Sequence, residues 1–196
     1  MQYWINLIGV PYEHLFPIAA EAEQLGFTGL ALADHLAVPT VIESPYPGGA
    51  RPWTEADDWP DVWVTIGAMA AVTSRLRFVT NVYIAPLRHP LIIAKAVGTA
   101  SVISNGRVIF GAGIGWMLEE FDSVASSFRT RGKRTNEILR ILRDAWEHYR
   151  MPIMITETSS TGNATARARW MDEAMRLFLV RVGIARRLWI SPGSPS

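Results

Sequence analysis

The sequence predicts an α/β fold in which a parallel sheet is buried under helices. Four short apolar runs alternate with four segments of helical periodicity within residues 1–150. The runs are continuously apolar, which is typical of parallel strands covered on both faces. Hydrophobic residues make up 49% of the 196 residues, enough for one sizeable core. Two architectures fit this alternation: an open doubly wound sheet and a (β/α) barrel.

Each predicted strand leads into a predicted helix. We predict strands over residues 3–10, 28–33, 77–84 and 107–113, and helices over 13–25, 60–73, 90–104 and 131–149. In the first helix, an apolar stripe at a spacing of three residues predicts an inner face formed by Phe16, Ala19, Ala22 and Leu25. Gly26 follows, where a left-handed helix cap favours glycine.

One long segment, residues 36–59, fits neither a strand nor a helix. It contains four prolines, three aromatic residues and several acidic residues. Loops of this length inside a compact domain are usually lids or binding loops. We therefore expect this segment to shape a ligand pocket.

Composition excludes several classes of protein. Cysteine is absent, so no disulfide framework, thiolate metal site or cysteine nucleophile is expected, and no metal site is predicted. The formal net charge of +1 gives no general attraction to nucleic acid. No apolar run is long enough to span a membrane, and the N-terminal residues do not resemble a secretory signal. We therefore expect a cytoplasmic protein.

Polar residues follow the predicted strands at the point where each strand ends. Asp34 and His35 follow the second strand, Asn81 interrupts the third, and Glu119 and Glu120 come after the fourth. Because the carboxyl ends of parallel strands meet at one edge, these side chains are predicted to share one rim. Each also has a purely structural explanation, such as a strand cap, a bulge or a helix start.

The glycine-rich turn GAGIGW, residues 111–116, meets the dinucleotide-binding fingerprint poorly. That fingerprint leads straight into a helix and opens the fold. Here the third glycine is one position early, and an acidic, aromatic loop precedes the next predicted helix. Its glycines still allow backbone N–H groups to approach a phosphate or a flat ring.

Several stretches together resemble the bacterial luciferase-like monooxygenase superfamily, most closely its branch of coenzyme F-420-dependent oxidoreductases. They are AEAEQLGFTGLALADHLAVP (20–39), PYPGG (45–49), WPDVWVTIGAMAAVTSRLRFVTNVYIAPLRHPLIIAKAVGTASVISNGRVIFGAGIGWMLEEF (59–121) and RTRGKRTNEILRILRDAW (129–146). The resemblance implies a (β/α)8 barrel with a flavin or deazaflavin ring across the carboxyl ends of its strands. It implies hydride transfer at the ring, or oxygen chemistry on reduced flavin. The cofactor it favours is coenzyme F-420, with FMN as the alternative, and the substrate is an unknown small organic molecule.

The resemblance also assigns roles to residues. Asp34 and His35 match the catalytic pair beside the ring, with His35 as the candidate proton-transferring group. The cofactor-binding positions are a strand-three bulge, often a non-proline cis peptide, the glycine turn after strand four, and an acidic position beyond it: Asn81, Val82, Gly113, Gly115 and Glu119.

The chain departs from the family after residue 150. An eight-unit barrel needs ~250 residues, and only four units match, so a partial barrel is predicted, with a fifth unit from residues 152–157 and 164–182. The domains predicted are 1–150, a non-matching strand–helix tail over 151–183, and a disordered end over 184–196. The tail faintly resembles a glycoside hydrolase segment with Glu157 as nucleophile. A half barrel has two unpaired sheet edges, which predicts a homo-oligomer and leaves a non-catalytic, self-associating remnant as an alternative to the enzyme.

Overall fold

The computed structural model describes residues 1–149 and 153–155, and side chains through Asp144. The described residues lie within one compact unit, Met1–Glu157. The helix predicted over 164–182, the disorder predicted over 184–196 and Glu157 all concern residues outside the described ones. No helix in the described part of the chain has the length and apolarity to cross a membrane.

Strands and helices alternate along the chain as predicted. The strands are β1 (Trp4–Asn6), β2 (Gly29–Leu32), β3 (Arg77–Thr80), β4 (Tyr83–Ile84), β5 (Val108–Gly113) and β6 (Ile153–Ile155). The helices are α1 (Tyr12–Gln24), α2 (Val62–Ala71), α3 (Pro90–Ile103), α4 (Leu118–Ser123) and α5 (Arg131–Tyr149). The strand predicted within residues 152–157 is confirmed as β6.

The sheet is parallel and follows chain order. β1 pairs with β2, β2 with β3, both β3 and β4 with β5, and β5 with β6. Neighbouring helices also contact one another in order, α1 with α2, α2 with α3 and α3 with α5. A doubly wound sheet would reverse its strand order at a switch point. The structure therefore selects the other predicted architecture, an arc of a (β/α) barrel.

The predicted third strand is two strands separated by a break. Between β3 and β4 the peptide bond Asn81–Val82 is cis, as the resemblance predicts. The Thr80 hydroxyl lies at this break and donates to the Gly111 carbonyl at 2.9 Å while accepting from the Gly111 N–H at 2.8 Å. A side chain thus replaces the backbone pairing that β5 loses beside the break.

The ends of the helices follow from local sequence. Asp61 caps α2 by accepting from the N–H groups of Trp63 and Val64. His89 caps α3 through Nδ1, which accepts from the Leu91 N–H at 3.3 Å. Gly26 ends α1 at a φ of +80°, as predicted from its position.

Two details of the sequence-based assignment are wrong. The buried face of α1 is Leu15, Ala19 and Ala22, whereas the predicted Phe16 and Leu25 are 43% and 66% exposed. A spacing of three drifts around a helix of 3.6 residues per turn, so both ends of the predicted stripe rotate into solvent. The short helix α4 lies inside a segment predicted to be loop.

Candidate functional site

His35 lies just beyond the carboxyl end of β2 and is held by a carboxylate from α4. Its Nδ1 lies 3.0 Å from Oε2 of Glu120. Glu120 is fully buried, and its other oxygen accepts from the backbone N–H groups of Leu36 and Ala37. One buried carboxylate therefore fixes both the imidazole and the first turn of the long loop.

Three indole rings surround the His35 imidazole. Trp59 contacts it edge-on at 4.6 Å between ring centroids, Trp53 lies at 4.9 Å and Trp116 at 6.3 Å. Tyr46 packs against Trp116 at 5.2 Å and extends this aromatic cluster. The His35 side chain is only 7% exposed as a result. The long loop thus closes over the rim, as a lid would.

The Asp34 carboxylate forms an ion pair with Arg88, which follows β4. The guanidinium donates to Oδ2 at 2.6 Å and to Oδ1 at 2.8 Å, and the Ile84 N–H donates to Oδ2 at 3.0 Å. Arg88 also stacks on the Tyr83 ring at 4.4 Å. This ion pair connects the end of β2 to β4, the strand that follows the interruption between β3 and β4.

Burial raises the pKa of the Asp34 carboxyl, and the Arg88 guanidinium opposes that shift. Burial also disfavours the Arg88 charge, but the Asp34 carboxylate outweighs it and raises the pKa of Arg88. The carboxylate therefore depends on Arg88 to stay charged inside the protein. The carboxylate that contacts His35 is Glu120, and the catalytic role of Asp34 stays a prediction.

The cofactor-binding positions predicted on the third and fourth strands lie beside one another. Asn81 is exposed, and its backbone N–H donates to the Leu32 carbonyl at 2.7 Å, which joins the cis peptide to β2. Gly113 ends β5 directly opposite Ile84 of β4. The half-buried Val82 and the buried Gly113 thus flank the same stretch of the rim.

Gly115 has a packing role. Its φ is +76°, and an added Cβ would lie 2.7 Å from Ile84 and 2.8 Å from the Phe121 ring. Its carbonyl accepts from Nε of Arg131 at 3.1 Å. Only glycine fits here without displacing the contacts between β4 and α4. The cofactor contact predicted for Gly115 would therefore be made by its backbone atoms.

Glu119 holds the long loop at a second point. Its Oε1 accepts from the N–H groups of Glu43 and Ser44 at 2.8 Å and 2.9 Å. Partial burial disfavours the carboxylate, but N–H donors from its own backbone and from this loop outweigh that cost and lower the pKa of Glu119. Its other oxygen is buried without a hydrogen-bond partner.

A shallow, mostly apolar cleft lies where the ends of β1 and β2 meet the long loop. Its lining includes Leu7, Ile8, Gly9, Ala33 and Trp59. Gly113 and the other cofactor-binding positions predicted on the third and fourth strands are not part of the lining of this cleft. Among the described residues, no group of three or more His, Asp or Glu side chains could hold a metal ion.

Comparison with known proteins decides the family. The family model described as luciferase-like monooxygenase matches residues 5–177. The chain belongs to the luciferase-like monooxygenase family. The match runs past residue 150, where the sequence resemblance ends, and the domain boundary predicted there stays a prediction.

This luciferase-like chain aligns with parts of longer proteins of known sequence. It is 32% identical over 130 residues to an uncharacterized protein of Mycobacterium tuberculosis (strain ATCC 25618 / H37Rv), Rv0940c, covering 65% of this chain and 45% of that protein. It is 32% identical over 136 residues to the F420-dependent glucose-6-phosphate dehydrogenase of Amycolatopsis mediterranei (strain U-32), covering 67% of this chain and 37% of the relative. The chain thus spans less than half the length of these relatives.

A solved structure supports the same fold. The monooxygenase RslO1 from Streptomyces bottropensis superimposes with a TM-score of 0.60 at 26% identity, over 74% of this chain and 43% of that one. The luciferase-like chain is therefore part of a barrel of this kind.

The residues that sequence analysis underrated are Glu120, Arg88 and the loop tryptophans. Glu120 and His35 are 85 positions apart, and nothing local connects them. The sequence does contain one indication, the adjacent acidic residues Glu119 and Glu120. Their position predicts that both lie at the rim, but it does not predict which of them bonds to His35.

Proposed function

We propose that this chain carries the coenzyme-facing half of an oxidoreductase that transfers a hydride between coenzyme F-420 and a small organic substrate. The observation that carries the proposal is the convergence of His35, the strand break at Asn81 and Val82, and Gly113 at one rim of a luciferase-like barrel. The relative named as an F420-dependent dehydrogenase supports the choice of coenzyme.

The described residues fit the ring of such a coenzyme. Val82 and Gly113 would back one face, and the exposed Asn81 offers an amide to its polar edge. When bound, the deazaflavin supplies the hydride-carrying carbon, and the protein supplies orientation and a route for the proton. FMN is the alternative ring, and the described residues favour neither.

His35 is the group we assign to proton transfer. It lies at the rim, with one ring nitrogen bonded to Glu120 and the other left to accept a proton from a substrate hydroxyl once the loop has opened. The surrounding indoles keep water away from it, so the long loop must move for substrate to reach the imidazole. Residues 36–59 would then shape the substrate pocket.

The test is calorimetric titration of the purified chain with oxidised coenzyme F-420 and, separately, with FMN. We expect saturable binding of one of them, weakened at least ~10-fold by His35→Ala if imidazole contacts amount to about 1.4 kcal/mol. His14→Ala is the matched control, because His14 is exposed on α1. A folded chain that binds neither coenzyme would contradict the proposal.

That negative outcome would favour the second candidate, a non-catalytic partial barrel that self-associates. Among the described residues, the unpaired outer edge of β1 supports self-association in this alternative. Its cytoplasmic location also stays a prediction.

A further inference from the structure

We propose that Glu120 is a positioning residue that keeps the proton of the neutral His35 imidazole on Nδ1, so that Nε2 is the atom that exchanges a proton with substrate. The role of Nε2 rests on the proposed function, whereas the position of the proton does not. The predicted partner for this purpose was the neighbouring Asp34, which the structure commits to Arg88 instead.

The hydrogen bonds at Glu120 leave one arrangement. Oε1 accepts from the N–H groups of Leu36 and Ala37, at 2.5 Å and 3.3 Å. Oε2 lies 3.0 Å from Nδ1 of His35. A carboxylate only accepts hydrogen bonds, so a bond at this distance requires the donor to be Nδ1–H. In the neutral ring, Nε2 is then an acceptor.

The indole rings around His35 offer no acceptor to a ring N–H of the imidazole. Trp53, Trp59 and Trp116 present aromatic rings to the imidazole, and their indole nitrogens are donors without acceptor capacity. Within the described part of the chain, Glu120 is the charged side chain that bonds to the ring. Replacing this carboxylate should therefore change which tautomer the ring prefers.

The variant Glu120→Gln tests this role of Glu120. The single amide oxygen of glutamine would be drawn to the Leu36 and Ala37 N–H groups, which places the NH2 group opposite His35. Nδ1 must then accept, and the proton moves to Nε2. The substitution changes no side-chain length, so it inverts the tautomer with little change in shape.

The measurement is 15N NMR of the coenzyme-free chain with labelled histidine, at about pH 8.5, two units above the usual imidazole pKa of about 6.5. The spectrum of His35→Ala identifies the His35 signals among the four histidines. We expect the Nδ1–H form to exceed the other by at least ~10-fold in the native chain, as for a hydrogen bond to a charged group. In Glu120→Gln the Nε2–H form should dominate.

Glu119→Gln is the control, because Glu119 ties down the same loop without bonding to His35. It should leave the tautomer unchanged. A native chain with mainly Nε2–H overturns the proposal, and this result needs no variant to fold. A Glu120→Gln chain that keeps Nδ1–H overturns it as well. Since no coenzyme is present, a chain that shows the expected tautomers but binds no coenzyme would count only against the proposed function.

Discussion

Single side chains hold this barrel segment together where its backbone pairing fails. Thr80 closes the gap beside the cis peptide, and the Asp34–Arg88 pair connects β2 to β4. Both are buried, so each replaces contacts with water that the folded chain cannot make. Side-chain hydrogen bonds of Thr80 and Asp34 therefore replace backbone hydrogen bonds that the interrupted third strand does not make.

Thr80→Val should destabilise the fold well beyond its small change in shape. The N–H and carbonyl of Gly111 would both lose their partner in a dry site, so the free energy of unfolding should fall by about 2–4 kcal/mol. Urea denaturation followed by circular dichroism measures this loss.

Thr80→Ser is the matched control because it keeps the hydroxyl and removes only a methyl group, at about 1 kcal/mol. Equal losses for the two variants would show that the hydroxyl bridge contributes nothing.

Among the structural elements, the short helix α4 governs the long loop. Glu119 binds the loop at Glu43 and Ser44, and Glu120 binds it at Leu36 and Ala37. Two consecutive residues of one helical turn therefore fasten both the start and the middle of the segment that covers His35.

Glu119→Ala, which removes the acceptor of the Glu43 and Ser44 N–H groups, should loosen the middle of the loop and leave its start in place. The lowered pKa of Glu119 means that its tether is complete above the ordinary carboxyl pKa of about 4.3 and is lost as pH falls through the lower, folded-state value. Amide hydrogen exchange of residues 43 and 44 in the native chain should therefore lose protection on acidification. In the variant, protection should be low already at neutral pH. An unchanged exchange pattern would mean that other contacts hold the loop.

At the scale of the whole molecule, the sheet has an open side. Within residues 1–149 and 153–155, no strand pairs with the outer edge of β1, so its backbone groups are available to another strand. The Leu7 N–H donates inward to the Ala31 carbonyl at 3.0 Å. Because N–H groups alternate along a strand, the Asn6 N–H points to the open edge.

The isolated chain is therefore expected to associate through β1. Light scattering during size-exclusion chromatography should show a dimer or larger species. Asn6→Pro should reduce association, since it removes an outward N–H without breaking a bond to β2. A native chain that is a monodisperse monomer at every concentration would contradict this expectation.

Much of the site could be placed from sequence because the information is local. A buried strand ending in Asp34-His35 places both residues at the rim whatever the loop does. The cis peptide was predicted from the family resemblance alone, since no local sequence pattern distinguishes it from a bulge at Asn81. The partner of His35 could not be predicted, because it depends on the register of α4. A rotation of one residue along that helix would exchange the roles of Glu119 and Glu120.

The indoles packed on His35 have an optical consequence. The emission of a tryptophan depends on its exposure to water and on a neighbouring charge. Trp53 and Trp59 belong to the loop, whereas Trp116 follows β5. Opening of the loop would carry two of the three fluorophores away from the imidazole and leave the third behind. The candidate site therefore contains its own intrinsic reporter, which can signal loop movement in real time without an attached dye.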